Sequence, residues 1–374
     1  MTTYRFLQPL DVLYLRGNKL FGDPGSYGES LVPPWPSVAA GALRSRMLAD
    51  DAQLDPGEFA AGRYLHPTLG TPEQPGAFTV TAFHLARWSG DGAVEGRFAP
   101  PADLVLTRDE EGRLIIERLR PHPVQGGIAS SAPLPKLPVL AQASRRKTVS
   151  DQWLTQTGWS RYLAGAPLAP GDFEATSKLW QLDTRVGVGL DPARRRADDG
   201  KLFTVQAVAV DKDVGFLVGI DGADPAVGGT LRFGGDGRAV ATRVVDYTAP
   251  RPDLDAIVRS RRCRLVLTTP GVFTAGWLPP GAQADGQWQL GGVSGKLVCA
   301  AVPRAEVISG WDLAKWQPKP AQRAVSTGAV YWIEDLQATP DALRKLAEAG
   351  LWGDGADNPQ RRAEGFNRFT YAVY

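Results

Sequence analysis

At 374 residues, with 43% hydrophobic and 22% charged side chains, the chain is long enough for two domains and lacks the composition of a disordered or fibrous protein. Its formal net charge of +2 does not by itself indicate a polyanionic partner, because solvated charges of both signs give the same total. No apolar run reaches the roughly 20 residues needed to cross a bilayer and Met1 to Leu10 lacks a signal-peptide core, so the sequence predicts a cytoplasmic chain with no membrane association.

The first predicted element is a strand over Tyr4 to Leu15, whose Pro9 suggests a sheet edge or a bulge. Gly17 to Gly28 reads as an exposed loop closed by Pro33-Pro34-Trp35-Pro36. A helix follows, with Ser37 as N-cap, Ala39, Ala40, Ala42, Leu43, Met47 and Leu48 as its apolar stripe, and Arg44 and Arg46 projecting from it. Phe78 to Trp88, Asp103 to Leu106, Leu114 to Ile116, Leu202 to Val210 and Gly215 to Ile220 have the alternating or continuous apolar pattern of strands. Between them, the prolines of 120–150 predict a loop or insertion with a basic end at Arg145, Arg146 and Lys147. From Cys263 strands resume, with Cys263, Leu265 and Leu267 on one face and Arg262, Arg264 and Val266 on the other. Lys296 to Val302, Ala305 to Ser309 and Ala329 to Glu334 are further strands. Thr339 caps a helix that begins at Pro340, runs through Leu343 and Leu346 and ends near Gly350, and Phe369 to Val373 is a final strand. Strands separated by single helices in both halves fit an α+β fold of two ferredoxin-like (RRM-like) domains with long loop insertions. The boundaries read as 1–255, with a Pro-rich insertion at about 120–175, and 256–374.

Signals for catalysis are weak. The three histidines, His66, His84 and His122, have no metal-binding spacing, and His84 lies in a strand-like run. No P-loop, no nucleophile elbow and no Cys-x-x-Cys pair is present. Cys263 and Cys299 sit in apolar runs as reduced, buried thiols, so neither a structural metal nor a cofactor is expected.

Basic clusters are the stronger lead. Arg145 to Lys147, Arg194 to Arg196, Arg259 to Arg264, Lys315 to Arg323 and Arg361-Arg362 each read as a solvated face alone, but several converging would form a phosphate track. The stretch from Leu182 to Asp191 carries Arg185, Gly187 and Gly189 and runs into Arg194, Arg195 and Arg196. Either the glycine amides approach an anion, or the segment is a plain β-hairpin with a charged tip. Near the C-terminus, glycines 350, 353 and 355, followed by Gly365-Phe366, form either a ligand-approach turn or a flexible connection before the last strand.

Taken together, several stretches resemble the third-subunit family of the type III-B CRISPR Cmr module, within the RAMP superfamily. They are Asp11 to Phe21 leading to Leu31 to Ser37 and Gly41 to Arg44; Arg185 to Asp191; Val214 to Leu217 with Ile220 to Gly222; Leu265 to Pro280; Gly310 to Lys315; and Lys319 to Tyr331. The resemblance implies a non-catalytic subunit that binds the single-stranded 5′ tag of the crRNA. Its implied partners are the large polymerase-like scaffold subunit and the backbone RAMP subunits of the Cmr complex, with target RNA met indirectly. Candidate RNA-binding residues are Arg16, Lys19, Ser37, Arg44, Arg46, Arg145, Arg146, Lys147, Arg185, Gly187, Gly189, Arg194, Arg195, Arg196, Lys315, Lys319, Arg323, Gly365 and Phe366, with Phe366 or Trp316 available to stack a base. RAMP proteins end their glycine-rich loop in a Gly-Phe-Gly type sequence. Here the order is Gly365-Phe366-Asn367, in which Asn is the residue next best suited to positive φ. Relatives in the superfamily cut RNA with histidine acid/base chemistry, so the alternative is a metal-independent endoribonuclease using His66 or His122. A third reading is a protein-binding scaffold whose basic clusters meet acidic partners.

Overall fold

The computed structural model describes residues 2–17, 27–90, 92–124, 132–142, 146–191, 193–312, 315–353 and 358–374. It is a mixed α+β protein of mostly antiparallel sheets and few helices. Its two compact units are discontinuous: Met1–Val94, Thr176–Asp246 and Val307–Gln322 form the first, and Glu95–Ala175, Tyr247–Glu306 and Arg323–Tyr374 the second. This division differs from a single boundary at 255/256, because distant segments pair in each sheet.

In the first unit, Thr3–Pro9 is an interior strand. It pairs antiparallel with Val214–Asp221 on one side, Phe6 opposite Leu217, and with Ala239–Val245 on the other. Pro9 is the last residue of the strand, so its missing N–H takes nothing from the interior of the ladder and the predicted edge position is corrected. Thr79–Trp88 extends the sheet beyond Val214–Asp221, and Thr230–Arg232 extends it beyond Ala239–Val245. Phe216 lies between Phe83 and Phe233, with ring centroids 5.6 and 5.2 Å away, which fixes the core on one face of the sheet. The helix Pro36–Asp50 buries Ala39, Ala40, Ala42 and Leu43 as predicted. Its N-cap is Trp35 rather than Ser37: Pro36 occupies the first turn, where an N–H is not required, and Ser37 lies inside the helix.

In the second unit, Cys263–Leu267 is an interior strand, flanked by Val330–Gln337 and Phe369–Val373, with Val293–Ala301 and Gln287–Leu290 continuing the sheet beyond Val330–Gln337. The predicted alternation holds. Cys263, Leu265 and Leu267 join one core with Ile257, Leu343 and Leu346 from the helices Leu254–Ser260 and Pro340–Ala349. Val266 joins a second core with Phe98, Leu104, Leu106, Trp159, Tyr162 and Leu163. Much of the predicted insertion is therefore packed structure: Gln152–Thr155 is a strand, and Gln156–Leu163 is a helix capped by Thr155. Within 120–150, Arg120–Pro123 pairs with Lys136–Val139. The helix after Thr339 forms as read, with the Thr339 hydroxyl accepting from the Ala342 N–H and Gly350 ending it at φ 83°.

One sheet order recurs. Numbered along the chain, the four main strands of each unit lie fourth, first, third, second, with antiparallel neighbours.

A buried charge cluster braces the second core. Arg264, 2% exposed, donates from Nη1 to Asp103 Oδ2 at 2.6 Å and from Nη2 to the carbonyls of Tyr162 and Val373. Its guanidinium lies 4.3 Å from the Tyr162 ring centroid, and the Tyr162 hydroxyl donates to Asp103 Oδ1 at 2.7 Å. Burial favours discharge of Arg264, but Tyr162 and Asp103 outweigh it and hold its pKa above the ordinary value. Burial first, then the Asp103 charge, push the Tyr162 phenol well up.

Candidate nucleic-acid interface

The stretch from Leu182 to Asp191 belongs to the longest hairpin of the described residues, Trp180–Asp191 paired antiparallel with Arg196–Val210. Its inner face starts at a small cluster of Tyr14, Val205 and Ala207, against which Val12 and Phe203 pack. Arg185 is tied into this face: Nε and Nη2 reach Asp183 at 2.8 Å, and Asp183 first, then Tyr14, hold its charge more firmly than in water. Gly187 lies opposite Phe203, and a Cβ there would come within 2.4 Å of that ring. At Gly189, next to a register shift, a Cβ would meet the Lys201 stem at 2.9 Å. Both glycines thus make room for cross-strand side chains. The reading in which their amides form an anion loop is corrected, because Gly187 sits inside the ladder.

The other face of the hairpin carries Leu182, Val186, Val188, Leu190 and Leu202, all exposed. Its end carries the arginine run. Arg194 pairs loosely with Asp191 at 3.7 Å, and Arg195 sits at φ 51° with its N–H donating to the Asp191 carbonyl. Arg195 and Arg196 are exposed, and among the described residues neither side chain makes an ion pair.

Other candidates in the first unit are dispersed. Arg16 lies 3.9 Å from Asp236, and Arg44 covers the Phe78 ring at 5.4 Å. Arg46 is engaged with Asp50 at 2.7 Å and with the Thr230 carbonyl, while Lys19 lies outside the described residues. Lys315 and Lys319 stand on a short hairpin in which Trp311–Asp312 pairs with Gln317–Pro318. Two tryptophans share it: Trp311, 49% exposed, and Trp316, 74% exposed, with centroids 5.9 Å apart and planes at 85°. Trp311 is the residue that the sequence reading leaves out of the site. No signal in one sequence separates an exposed tryptophan from a core one.

In the second unit Arg146 is exposed and 3.8 Å from Glu117, Lys147 is exposed, and Arg145 lies outside the described residues. Arg323 stands on an open groove of about 470 Å³ lined also by Trp277, Ala300, Val302 and Val325. Phe366 is corrected as a stacking residue: it is 0% exposed, with the Arg361 guanidinium 5.1 Å from its ring. Arg361 is itself buried and paired with Glu364 at 2.9 Å, so the Arg361-Arg362 cluster loses its first member as a phosphate contact. Gly365 takes φ 88°, and its buried carbonyl accepts from the Thr269 hydroxyl. Asn367 takes φ 59° as its residue type allows. It is 1% exposed, with its amide bonded to the Val272 N–H and to the Leu351 carbonyl. The glycine-rich turn is thus sealed by its own chain at Phe366 and Asn367, which closes that point to an RNA backbone.

Two of the three histidines are held within the fold. His66 Nδ1 accepts the Thr68 and Leu69 N–H groups at 3.1 and 3.0 Å, the work of a turn cap. His84 is on the strand Thr79–Trp88 with its Nε2 enclosed, and burial pushes its pKa down to about 4. His122 is exposed between Pro121 and Pro123 on a short strand. Both cysteines are buried and free, and burial pushes each thiol up to about 12, far from nucleophilic use. No helix among the described residues is long and apolar enough to cross a membrane.

A family model described as CRISPR-associated protein (Cas_Cmr3) matches residues 5–372. A chain in a solved structure titled "Cryo-EM structure of the Type III-B Cmr-beta bound to cognate target RNA and AMPPnP, state 1" is 13% identical, with a TM-score of 0.51 over 98% of this chain and 95% of that one. A second, titled "Cryo-EM structure of the Type III-B Cmr-beta bound to cognate target RNA", is 14% identical with a TM-score of 0.45 over 88% and 86%. No curated protein sequence matches.

Proposed function

Since the chain belongs to the Cas_Cmr3 family of CRISPR-associated proteins, matched over nearly its whole length, we propose that it is the RNA-gripping, non-catalytic subunit of a type III-B Cmr complex. In this reading it holds the single-stranded 5′ tag of the crRNA, pairs with the large polymerase-like scaffold subunit beside the backbone RAMP subunits, and meets target RNA only through the guide. The observation that carries it is the arginine run at the end of a long hairpin, where Arg195 and Arg196 stand exposed with no ion pair among the described residues. Exposed guanidinium groups without carboxylate partners suit phosphate oxygens, and each contact made displaces condensed counterions.

Two observations support the rest of the reading. The recurrent order fourth, first, third, second, with antiparallel neighbours, is that of a ferredoxin-like sheet, and we read each unit as one. The hairpin then falls between the second and third strands of the first unit. The structural neighbour with the TM-score of 0.51 was solved in a complex bound to cognate target RNA, which suits an assembly built on RNA. Against cutting, His66 is spent as a hydrogen-bond acceptor, which leaves exposed His122 as the other candidate for an acid/base role.

The test is filter binding of the purified chain to a tag-bearing RNA and to the same RNA without the tag, with the products run on a denaturing gel. Tighter binding of the tagged strand and uncut RNA are the expected results. Equal affinity for both strands removes tag recognition, and a cleaved product restores the endoribonuclease reading.

A further inference from the structure

The hairpin built from Trp311–Asp312 and Gln317–Pro318 is anchored at its base. The Lys319 N–H donates to the Gly310 carbonyl at 2.8 Å, and the Ser309 hydroxyl donates to the Lys319 carbonyl at 2.7 Å. Asp312 is turned inward on the same hairpin, its carboxylate accepting the Lys315 N–H at 3.1 Å. What this frame presents to solvent is unusual for a folded chain. Trp316 is 74% exposed and at φ 51°, a left-handed conformation that a bulky side chain rarely adopts. An exposed indole held on a strained backbone is a cost without a structural return, and such outliers gather at binding sites.

Trp311 explains how the ring is held. Its plane stands at 85° to that of Trp316 with centroids 5.9 Å apart, an edge-to-face contact. That contact leaves most of the Trp316 ring in solvent. Lys315 directly precedes Trp316, and Lys319 follows the returning strand Gln317–Pro318. An exposed aromatic face with lysines one residue before it and three after it in the chain matches a nucleotide strand, with the base on the ring and phosphates on the lysines. The core of a protein interface, by contrast, is depleted in lysine.

We propose that Trp316 stacks one unpaired base of a single-stranded RNA, with Trp311 as the positioning residue behind it and Lys315 and Lys319 on the flanking phosphates. The proposal deepens the RNA-binding reading above and rests on it, but it names a contact separate from the arginine run.

The probes are a single-stranded oligoadenylate RNA and the same sugar-phosphate backbone made abasic, both titrated against the full chain by fluorescence anisotropy. Loss of the ring in Trp316→Ala should weaken oligoadenylate binding roughly 5- to 150-fold and leave the abasic strand unchanged. Trp316→Phe should keep most of the affinity, and Trp311→Ala should fall between the two on oligoadenylate alone. Trp316→Asn, whose side chain suits positive φ, is the second ring deletion if alanine disturbs the turn. Lys315→Ala and Lys319→Ala should weaken both probes and each reduce the salt slope by about 0.7. Equal losses on both probes with Trp316→Ala, or none on either, overturns the stacking contact while wild-type binding leaves the RNA reading standing. Unchanged RNA affinity with lost co-purification of a neighbouring subunit makes the hairpin a protein-docking element and also overturns it. A wild-type chain that binds neither probe overturns both readings at once.

Discussion

Arg264 and Arg195 carry the same charge in opposite surroundings. Arg264 is 2% exposed and has its guanidinium shared among Asp103, two backbone carbonyls and the face of Tyr162. Arg195 is exposed at the end of a hairpin, with no ion pair among the described residues. Burial makes the first arginine a fixture of the second unit's core, since removing any partner strands a charge away from water. Exposure leaves the second free to exchange water for a phosphate. Basic residue counts blur these two roles, because what separates them is the partner each guanidinium already has.

The sharpest way to break the comparison is inside the core. Asp103→Ala leaves Arg264 uncompensated and should lower stability by ~3–5 kcal/mol in a denaturant titration. Replacing both charges, Asp103→Leu with Arg264→Met, should recover most of that loss. A single variant within about 1 kcal/mol of wild type would mean that water reaches the cluster.

At the exposed end, the triple change Arg194→Ala, Arg195→Ala, Arg196→Ala should leave the melting temperature alone and weaken tag-bearing RNA between several-fold and some hundreds-fold. If the run belongs to a tag-specific site, RNA without the tag loses less. Unchanged affinity for both RNAs reduces the run to a solvated hairpin end.

Salt should distinguish the two settings without any mutation. RNA affinity should fall with a slope of about −0.7 per phosphate neutralised, while the buried pair is little screened. Flat affinity between low and high salt would remove the phosphate track and favour the scaffold reading.

His84 supplies the mildest case, a ring whose Nε2 is enclosed and which desolvation holds neutral. Its folded pKa is about 4 against 6.5 for the free side chain. The unfolded chain therefore binds the extra proton between those values. Stability conferred by the neutral ring is fully present above pH 6.5 and declines as pH falls toward 4, by at most about 1.4 kcal/mol per pH unit. His84→Gln should flatten that decline in melts recorded across the window, and a slope identical to wild type would show that other groups set it.

Much of the scaffold was legible because local signals agreed. Thr339, Pro340 and Gly350 bracket a helix in the order that capping chemistry requires, and Cys263 to Leu267 alternate between two cores as their period demands. What could not be read depends on partners far along the chain. Asp103 meets Arg264 across 161 positions, so an arginine that sequence groups with a basic cluster turns out to be a core residue. Ser37 lost its cap role to the backbone before Pro36, a contest of one position that propensity does not resolve. Phe366 and Trp316 had equal standing as stacking rings, and only burial, 0% against 74%, tells them apart.

The outer face of the long hairpin has a consequence for the chain outside its complex. Leu182, Val186, Val188, Leu190 and Leu202 point to solvent, and Trp180–Asp191 is an edge strand of its sheet. The strand lacks proline and lysine, and Asp183, Arg185 and the register shift between Val188 and Leu190 are what blunt it as an edge. Five exposed apolar side chains on one face are a cost to a lone copy in water. Covering that face with another molecule would remove the cost, so the hairpin gains by assembly on its apolar side while its arginine end stays in water.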